Sequence, residues 1–269
     1  MGNFVENLPP VLAEAIEANL LESLADLGRS PRVEFHQESD VVWFVTGMPY
    51  PSFNRILHAR FESGDIDARI ESALSPFKLQ NLPMLWHTGP TTRPPELGEH
   101  LIAHGLRCAS DEPGMAVDLQ VLDDEGAVPP GLMIEPVRDL DGLRAWSEIF
   151  AAAFGRPEGT VKATFAVEAD LGVGEHPWRR LYLGLLAGKP VATSRLFLGA
   201  GVAGIYGVGS MPQVRRRGIG QAMTVMPLLE ARAMGYRLGV LHVSPMGVGV
   251  YRRLGFREYC RLCRYVWPG

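Results

Sequence analysis

Apolar residues recur along this chain with two periods, and the switches between them mark out its elements. In the second half, MIEPV (133–137), LYLGLL (181–186), VATSRLFL (191–198) and VAGIYGVGS (202–210) are short apolar runs bounded by turn residues, the pattern of strands. The Ala-Gly-Lys-Pro between the second and third predicts a hairpin. DLDGLRAWSEIFAAAFG (139–155) carries Leu143, Trp146, Ile149 and Phe150 at helical spacing, and Met223, Met226, Leu228, Leu229 and Ala233 predict a second helix from Gly220 to about Met234. Residues 156–180 read as loop with a short helix. In the first half, PMLWH (83–87) reads as a strand and LIAHGLR (101–107) as a helix end; in the second, LGVLHVS (238–244) and YRRLGFR (251–257) repeat that order. Each Gly before an apolar and a basic residue suits the left-handed position that stops a helix. A last extended run follows in each half, MAVDLQV (115–121) and YCRLCRYVW (259–267).

These matched endings suggest a duplication. The polar DDEGAVPPG (123–131) between them reads as a linker. The expected organisation is two lobes, residues 1–126 and 131–269, of mixed α/β (α+β) class with largely antiparallel sheets.

Composition narrows the function. With 269 residues, 46% hydrophobic and 21% charged, each half can bury a core. A formal net charge of −4 argues against a general nucleic-acid binder, so an anion site must be local. MGNFVENLPP (1–10) lacks signal-peptide character and no apolar run is long enough for a membrane span, so a cytoplasmic protein without a membrane or nucleic-acid partner is expected. Cys108, Cys260 and Cys263 are too few and unpaired for a disulfide framework.

The local anion site falls at SMPQVRRRGIGQAM (210–223). Pro212 stops the preceding strand, and the Gly-Ile-Gly opens the next helix, where N–H groups lack partners and the helix dipole is positive. Phosphates fit such bare backbone. No Lys-Ser/Thr follows the glycines, so this is not a Walker loop. A helix starting with glycines beside a solvated basic patch is the plainer reading. Gly201, Gly204, Gly207 and Gly209 on the preceding strand weigh against it, since strand glycines often admit another backbone.

VGSMPQVRRRGIG resembles motif A of the GCN5-related N-acetyltransferases (GNAT), Gln/Arg-x-x-Gly-x-Gly/Ala, with Arg215, Gly218 and Gly220 in its places. YRRLGF (251–256) resembles motif B, and the match covers roughly 131–269. The resemblance implies two tandem acyl-CoA N-acyltransferase-like lobes, each a central mostly antiparallel sheet flanked by helices. It implies acetyl-CoA as co-substrate, no metal, and an amine or peptide acceptor. The strands ending at Ser210 and Ser244 would splay to take the pantetheine arm. Donor contacts are expected from Val208, Ser210, Met211, Arg215, Arg216, Arg217, Gly218, Ile219, Gly220, Gln221 and Ser244, with the pyrophosphate on the N–H groups of 216–221. Ser244 and Gly247 stand where the family usually has Asn and Ala.

By the same resemblance Tyr251 is the acid for the departing thiolate, and a backbone N–H near Ser210 or Met211 holds the oxyanion. The strand 202–210 has no carboxylate where many members keep a Glu, so Tyr206 and His242, on the two splayed strands, are the candidate bases. Core packing is the alternative for each. Glu168, Asp170, Glu175 and His176 are expected to border the acceptor site. In the first half, Asp65 and Asp67 at the corresponding helix start would repel a pyrophosphate, and Leu101 stands where the second half has Tyr251, so that lobe reads as degenerate. Trp86, His87 and Arg93 could wall the acceptor site. Cys260 and Cys263 would point to opposite strand faces, and His100 and His104 read as surface or lobe-interface residues. An acyl-CoA-binding regulator, or a transferase of another acyl group, stays open, as does homodimerisation.

Overall fold

The computed structural model describes residues 8–61, 64–122, 128–174, 176–245 and 247–269. Its first-half elements are α1 (Leu8–Ala25), β1 (Glu34–Gln37), β2 (Val41–Val45), β3 (Arg55–Ala59), α2 (Ile66–Leu79), β4 (Met84–Thr88), α3 (Leu97–Ala103) and β5 (Arg107–Asp118). The second half follows with β6 (Leu132–Pro136), α4 (Leu140–Ala153), α5 (Gly159–Asp170), β7 (Arg179–Leu186), β8 (Lys189–Gly199) and β9 (Val202–Ser210). It ends with α6 (Ile219–Ala233), β10 (Leu238–His242), α7 (Val248–Arg253) and β11 (Arg257–Trp267).

Local chemistry accounts for the boundaries. Gly105 and Gly255 take φ of +86° and +88° behind α3 and α7, closing both helices as their sequence positions predict. Asp139 caps α4 by accepting from the Gly142 N–H at 2.8 Å. The β7–β8 turn is tighter than the sequence suggests: Ala187 and Gly188 carry it with φ of 50° and 75°, and Lys189 and Pro190 already lie on β8. β5 begins at Arg107 rather than near 115, and part of the expected linker, 123–127, lies outside the described residues.

The two lobes merge into one sheet of order β1-β2-β3-β4-β11-β5-β10-β9-β8-β7-β6. All pairings are antiparallel except β3–β4 and β9–β10. The centre of this order is an exchange. β5, the last strand of the first half, lies between β10 and β11, while β11 lies between β4 and β5. The β5–β11 seam runs from Arg257↔Ala116 to Val266↔Arg107. Each lobe's sheet is therefore completed by the other.

Helices α2, α3, α6 and α7 cover one face. Around α6 the core holds Met223, Val225, Leu228, Ile205, Leu241 and Phe256; around α2 and α3 it holds Phe77, Leu101, Ile56 and Trp86. The other face is covered by α1, whose Ile16 and Leu20 meet Ala116, Val240 and Leu262 across the seam, and by α4 with Trp146 and Leu143. No helix among the described residues is long and apolar enough to cross a membrane.

Candidate active site

β9 and β10 pair only at Ala203↔Gly239 and Gly204↔Val240, then diverge. β9 also carries a bulge. Its register with β8 jumps from Tyr206↔Arg195 to Gly209↔Thr193, which leaves Gly207 and Val208 opposite Ser194 alone. Gly207 sits at φ +59°. The glycines of this strand have nearer neighbours than a pantetheine arm, which corrects the expectation from sequence. A Cβ at 204 would overlap the Asn19 carboxamide of α1, and one at 209 would lie 2.8 Å from Phe154 and 2.9 Å from Ala153 of α4. They let two helices approach the sheet.

The start of α6 has the form of an anion cradle. Its cap is Gly218 at φ +77°, preceded by Arg216 at +62°, and no side chain caps it. The first intrahelical bond is the Ala222 N–H to Gly218 O at 3.0 Å, so the N–H groups just before it have no helical acceptor. Ile219 is buried and anchors the turn, whereas a Cβ at Gly220 would meet nothing within 4 Å. Arg216 and Arg217 are exposed, and Gln221 is half-buried behind them. Arg215 bonds Ala153 O at 2.9 Å and Ser210 O at 3.3 Å, tying the cradle to the end of α4. The Met211 N–H donates to Val191 O at 2.8 Å, so it is engaged and does not fit the oxyanion role. The bulge lies earlier, at Gly207–Val208, where Gly207 O accepts from Thr193 Oγ1 at 3.0 Å. Ser244 is exposed beyond β10, and a Cβ at Gly247 would stand 2.5 Å from a Val243 methyl.

Tyr251, on α7, packs edge-to-face on Phe256 with ring centres 5.7 Å apart. Burial raises its pKa, against a hydrogen bond from Thr224, so it is protonated at neutral pH. Tyr206 does not fit the base role. Its hydroxyl donates to Asn19 Oδ1 at 2.6 Å, and burial drives its pKa far upward. His242 lies 5.7 Å away, ring centre to ring centre. Burial, then the charges of Arg264 and Arg55, push it down to about 3, so it is neutral at pH 7. Its Nε2 is 3.5 Å from Glu112 Oε2, and its buried Nδ1 has no partner among the described residues.

Glu112 is the site residue that sequence reasoning missed. It comes from β5, in the first half, and the strand exchange places that strand beside β10 in the register His242↔Gly114. Arg264 of β11 holds it, Nη2 to Oε1 2.5 Å. A carboxylate of the first half thus lies beside His242.

The residues expected around the acceptor side are largely engaged. Glu168 is not a solvated surface residue: it is buried and paired with Arg195 and, at 2.5 Å, with Arg179. Asp170 accepts from Ser30 Oγ at 2.6 Å, His176 lies 5.9 Å from Trp178, and Glu175 lies outside the described residues. Trp86 is core, while His87 is buried with Nε2 2.9 Å from Arg55 Nη1. Arg93 donates to its own loop, at Thr92 O and Pro90 O. His100 and His104 bond Asp67 and Glu71 of α2, on the surface of the first lobe. Cys260 packs with the core beneath α1, whereas Cys263 contacts Asp111 at 3.4 Å.

Residues 200–259 match the family model of an acetyltransferase (GNAT) domain. No curated protein matches the sequence at a significant level. Among solved structures, a GCN5-related N-acetyltransferase from Kribbella flavida is similar over 94% of this chain and 95% of its own, at 20% identity and TM-score 0.70. A tandem GNAT protein from the clavulanic acid biosynthesis pathway covers 98% and 95%, at 15% identity and TM-score 0.59. A GCN5-related N-acetyltransferase from Sphaerobacter thermophilus covers 86% and 81%, at 19% and 0.58. The chain shares the fold of these solved structures, one of them a tandem GNAT protein, and its residues 200–259 match the GNAT domain model.

Proposed function

We propose that this chain transfers an acetyl group from acetyl-CoA to a primary amine by direct attack, with the donor held by residues 131–269. Residues 1–126 complete the acceptor side of the site. The observation that carries this reading is the uncapped α6 start standing beside the splayed end of the β9–β10 pair. The pyrophosphate rests on the N–H groups of 216–221, and the pantetheine arm enters the gap toward Ser244, where its amides pair with strand backbone.

At the mouth of the gap, His242 is the base. Glu112 faces Nε2 and orients the neutral ring, and because Nδ1 is buried the amine's proton reaches the imidazole through water. The amine nitrogen bonds to the thioester carbonyl carbon, its proton passes through water to the His242 imidazole, and the C–S bond breaks. The oxyanion is held by the backbone at Gly207–Val208, and the CoA thiolate takes the Tyr251 proton.

Calorimetric titration with acetyl-CoA tests the donor site, and thiol release with a panel of amines tests the chemistry. One acetyl-CoA per chain with amine-dependent CoA release is the expected result. Binding without release to any amine would make the protein an acyl-CoA-binding module, and the absence of binding would overturn the reading.

A further inference from the structure

The face of the sheet bearing His242 carries positive charge that the protein itself does not neutralise. Arg55, on β3, is buried, yet its guanidinium meets only neutral groups: Ser52 O at 2.8 Å and His87 Nε2 at 2.9 Å. Burial, followed by the nearby charges of Arg55, Arg264 and His242, holds His87 well below its ordinary pKa, so it stays neutral beside the guanidinium. Arg156 reaches the same Ser52 through its Oγ at 3.3 Å and lies over the Phe150 ring at 4.6 Å. Neither arginine has a carboxylate partner among the described residues. Arg264 and Arg195 bring two further cations, already engaged with Glu112 and Glu168. Burial and the charges of Arg264, Arg156 and Arg195 push Arg55 down to about 9. A buried cation normally has an anionic partner, because desolvation is costly unless it is paired.

We propose that Arg55 and Arg156 bind an anionic group, a carboxylate or a phosphate, on the same small molecule whose amine is acetylated. The placement supports this. His242 contacts Glu112, Glu112 holds Arg264, and Arg264 stands opposite His87 in the β11–β4 register, next to Arg55. A continuous line of contacts thus leads from the base to the unpaired guanidinium. Phe150, stacked on Trp146 at 4.8 Å, forms an apolar wall beneath the Arg156 guanidinium. Two guanidiniums without a carboxylate partner among the described residues suit a planar carboxylate or a phosphate, which accept paired N–H donors. The anion would also offset the charges pressing on His242, so that the base strengthens when its own substrate is bound.

This inference rests on the acetyltransferase reading, and two measurements separate their failures. The first compares matched acceptors with acetyl-CoA: glycine against glycinamide, and O-phosphoethanolamine against ethanolamine. The anionic member of one pair is expected to have the higher kcat/KM, by roughly tenfold to a hundredfold, as for a charge-assisted pair. Arg156→Gln should erase most of that ratio, and Arg55→Lys should retain more of it than Arg55→Gln. Which pair shows the preference identifies carboxylate or phosphate. Neutral acceptors used as well as anionic ones, or a ratio unmoved by the variants, would overturn the proposal. The second measurement is thermal stabilisation of the acetyl-CoA-free protein by glycine and by inorganic phosphate. Stabilisation lost in Arg156→Gln upholds the anion site even if no amine is acetylated. Its absence for both ions, together with no acceptor preference, sinks the proposal while leaving the donor site standing.

Discussion

The molecule builds the same junction twice, a parallel strand pair followed by a helix, and leaves only one of them open. In the second lobe β9 and β10 separate after two register pairs, and α6 begins on a left-handed glycine with no side-chain cap. In the first lobe β3 and β4 also pair at two positions, Arg55↔Leu85 and Ile56↔Trp86. There the chain after β4 turns back and closes the gap: the Arg93 N–H donates to Ala59 O, and the Phe61 N–H donates to Arg93 O at 3.0 Å. Glu17 of α1 pins this strap, accepting from the Thr91 N–H at 2.7 Å. The helix start is filled as well, because Asp65 caps α2 through the Ala68 N–H at 3.0 Å. A pyrophosphate would meet a carboxylate there, and a pantetheine arm would meet strand-like backbone. On the proposed reading, one scaffold serves as donor site or as structural wall, according to what occupies the gap and the helix start.

The comparison breaks most visibly at the donor. Gly220→Glu places a carboxylate in the open space of the cradle and should abolish acetyl-CoA binding while leaving the melting temperature close to wild type. The mirror change, Asp65→Gly, should create no second site, since the strap still closes β3–β4. Calorimetry reads both, and a stoichiometry rising to two in Asp65→Gly would show that the cap alone silences the first lobe.

Chemistry is the next level. His242→Gln should lower kcat by about a hundredfold or more with the acetyl-CoA dissociation constant within about twofold. Tyr251→Phe should lower it by about tenfold to a hundredfold, since a thiolate needs less help than a stronger base. Unchanged turnover in either variant removes that residue from the mechanism.

Much of this was legible in the sequence. Strand-stopping Pro212, the glycine helix stops at 105 and 255, and the acidic helix start at 65–67 each act through local backbone preference or charge, so their positions alone carry the reading. What sequence reasoning missed depends on which strands become neighbours. Nothing in DEPGMAVD (111–118) says that it will lie beside LGVLH (238–242), so Glu112 could not be assigned to His242. The strand glycines misled for the same reason. Their need for space was readable, but the occupants, Asn19 and Phe154, come from helices distant in sequence. Arg55 and Arg156 were invisible as a pair because they meet only through Ser52.

pH sharpens the contrast between the seam and the first lobe's surface. His242 faces Glu112 from β5, Arg264 from β11, Arg55 from β3 and Tyr206 from β9, with His87 of β4 behind, and both histidines have lowered pKa values. The unfolded chain takes up these protons near pH 6.5 and the folded one only far lower, so stability should fall as pH drops below about 6.5, by up to about 1.4 kcal/mol per histidine per pH unit. His104 runs the other way. Burial opposes its charge, but hydrogen bonds to Glu71 and Asp67 outweigh that and raise its pKa, so its contribution is present in acid and fades as pH rises past its folded value. Denaturant melts at pH 5 and pH 7 measure the sum, and His242→Gln should flatten the slope. An unchanged slope would mean that the seam opens to water before it protonates.

The smallest effects test whether the two helix starts differ in role rather than in stability. Asp65→Ala removes one side-chain cap and should cost about 1 kcal/mol. Gly218→Ala forces a side chain into the left-handed region at φ +77° and should cost a similar ~1–2 kcal/mol. The Cβ there would come 3.4 Å from Pro129, close contact without overlap, so strain rather than collision sets the cost. Thermal melts should therefore barely distinguish the two variants, while acetyl-CoA titration should separate them. Gly218→Ala should tilt the N–H groups proposed to hold the pyrophosphate and weaken the donor, whereas Asp65→Ala should leave its affinity at the wild-type value. If Asp65→Ala weakened acetyl-CoA as much, the first lobe would be shaping the donor cradle through the shared sheet, and the division between a binding lobe and a walling lobe would fail.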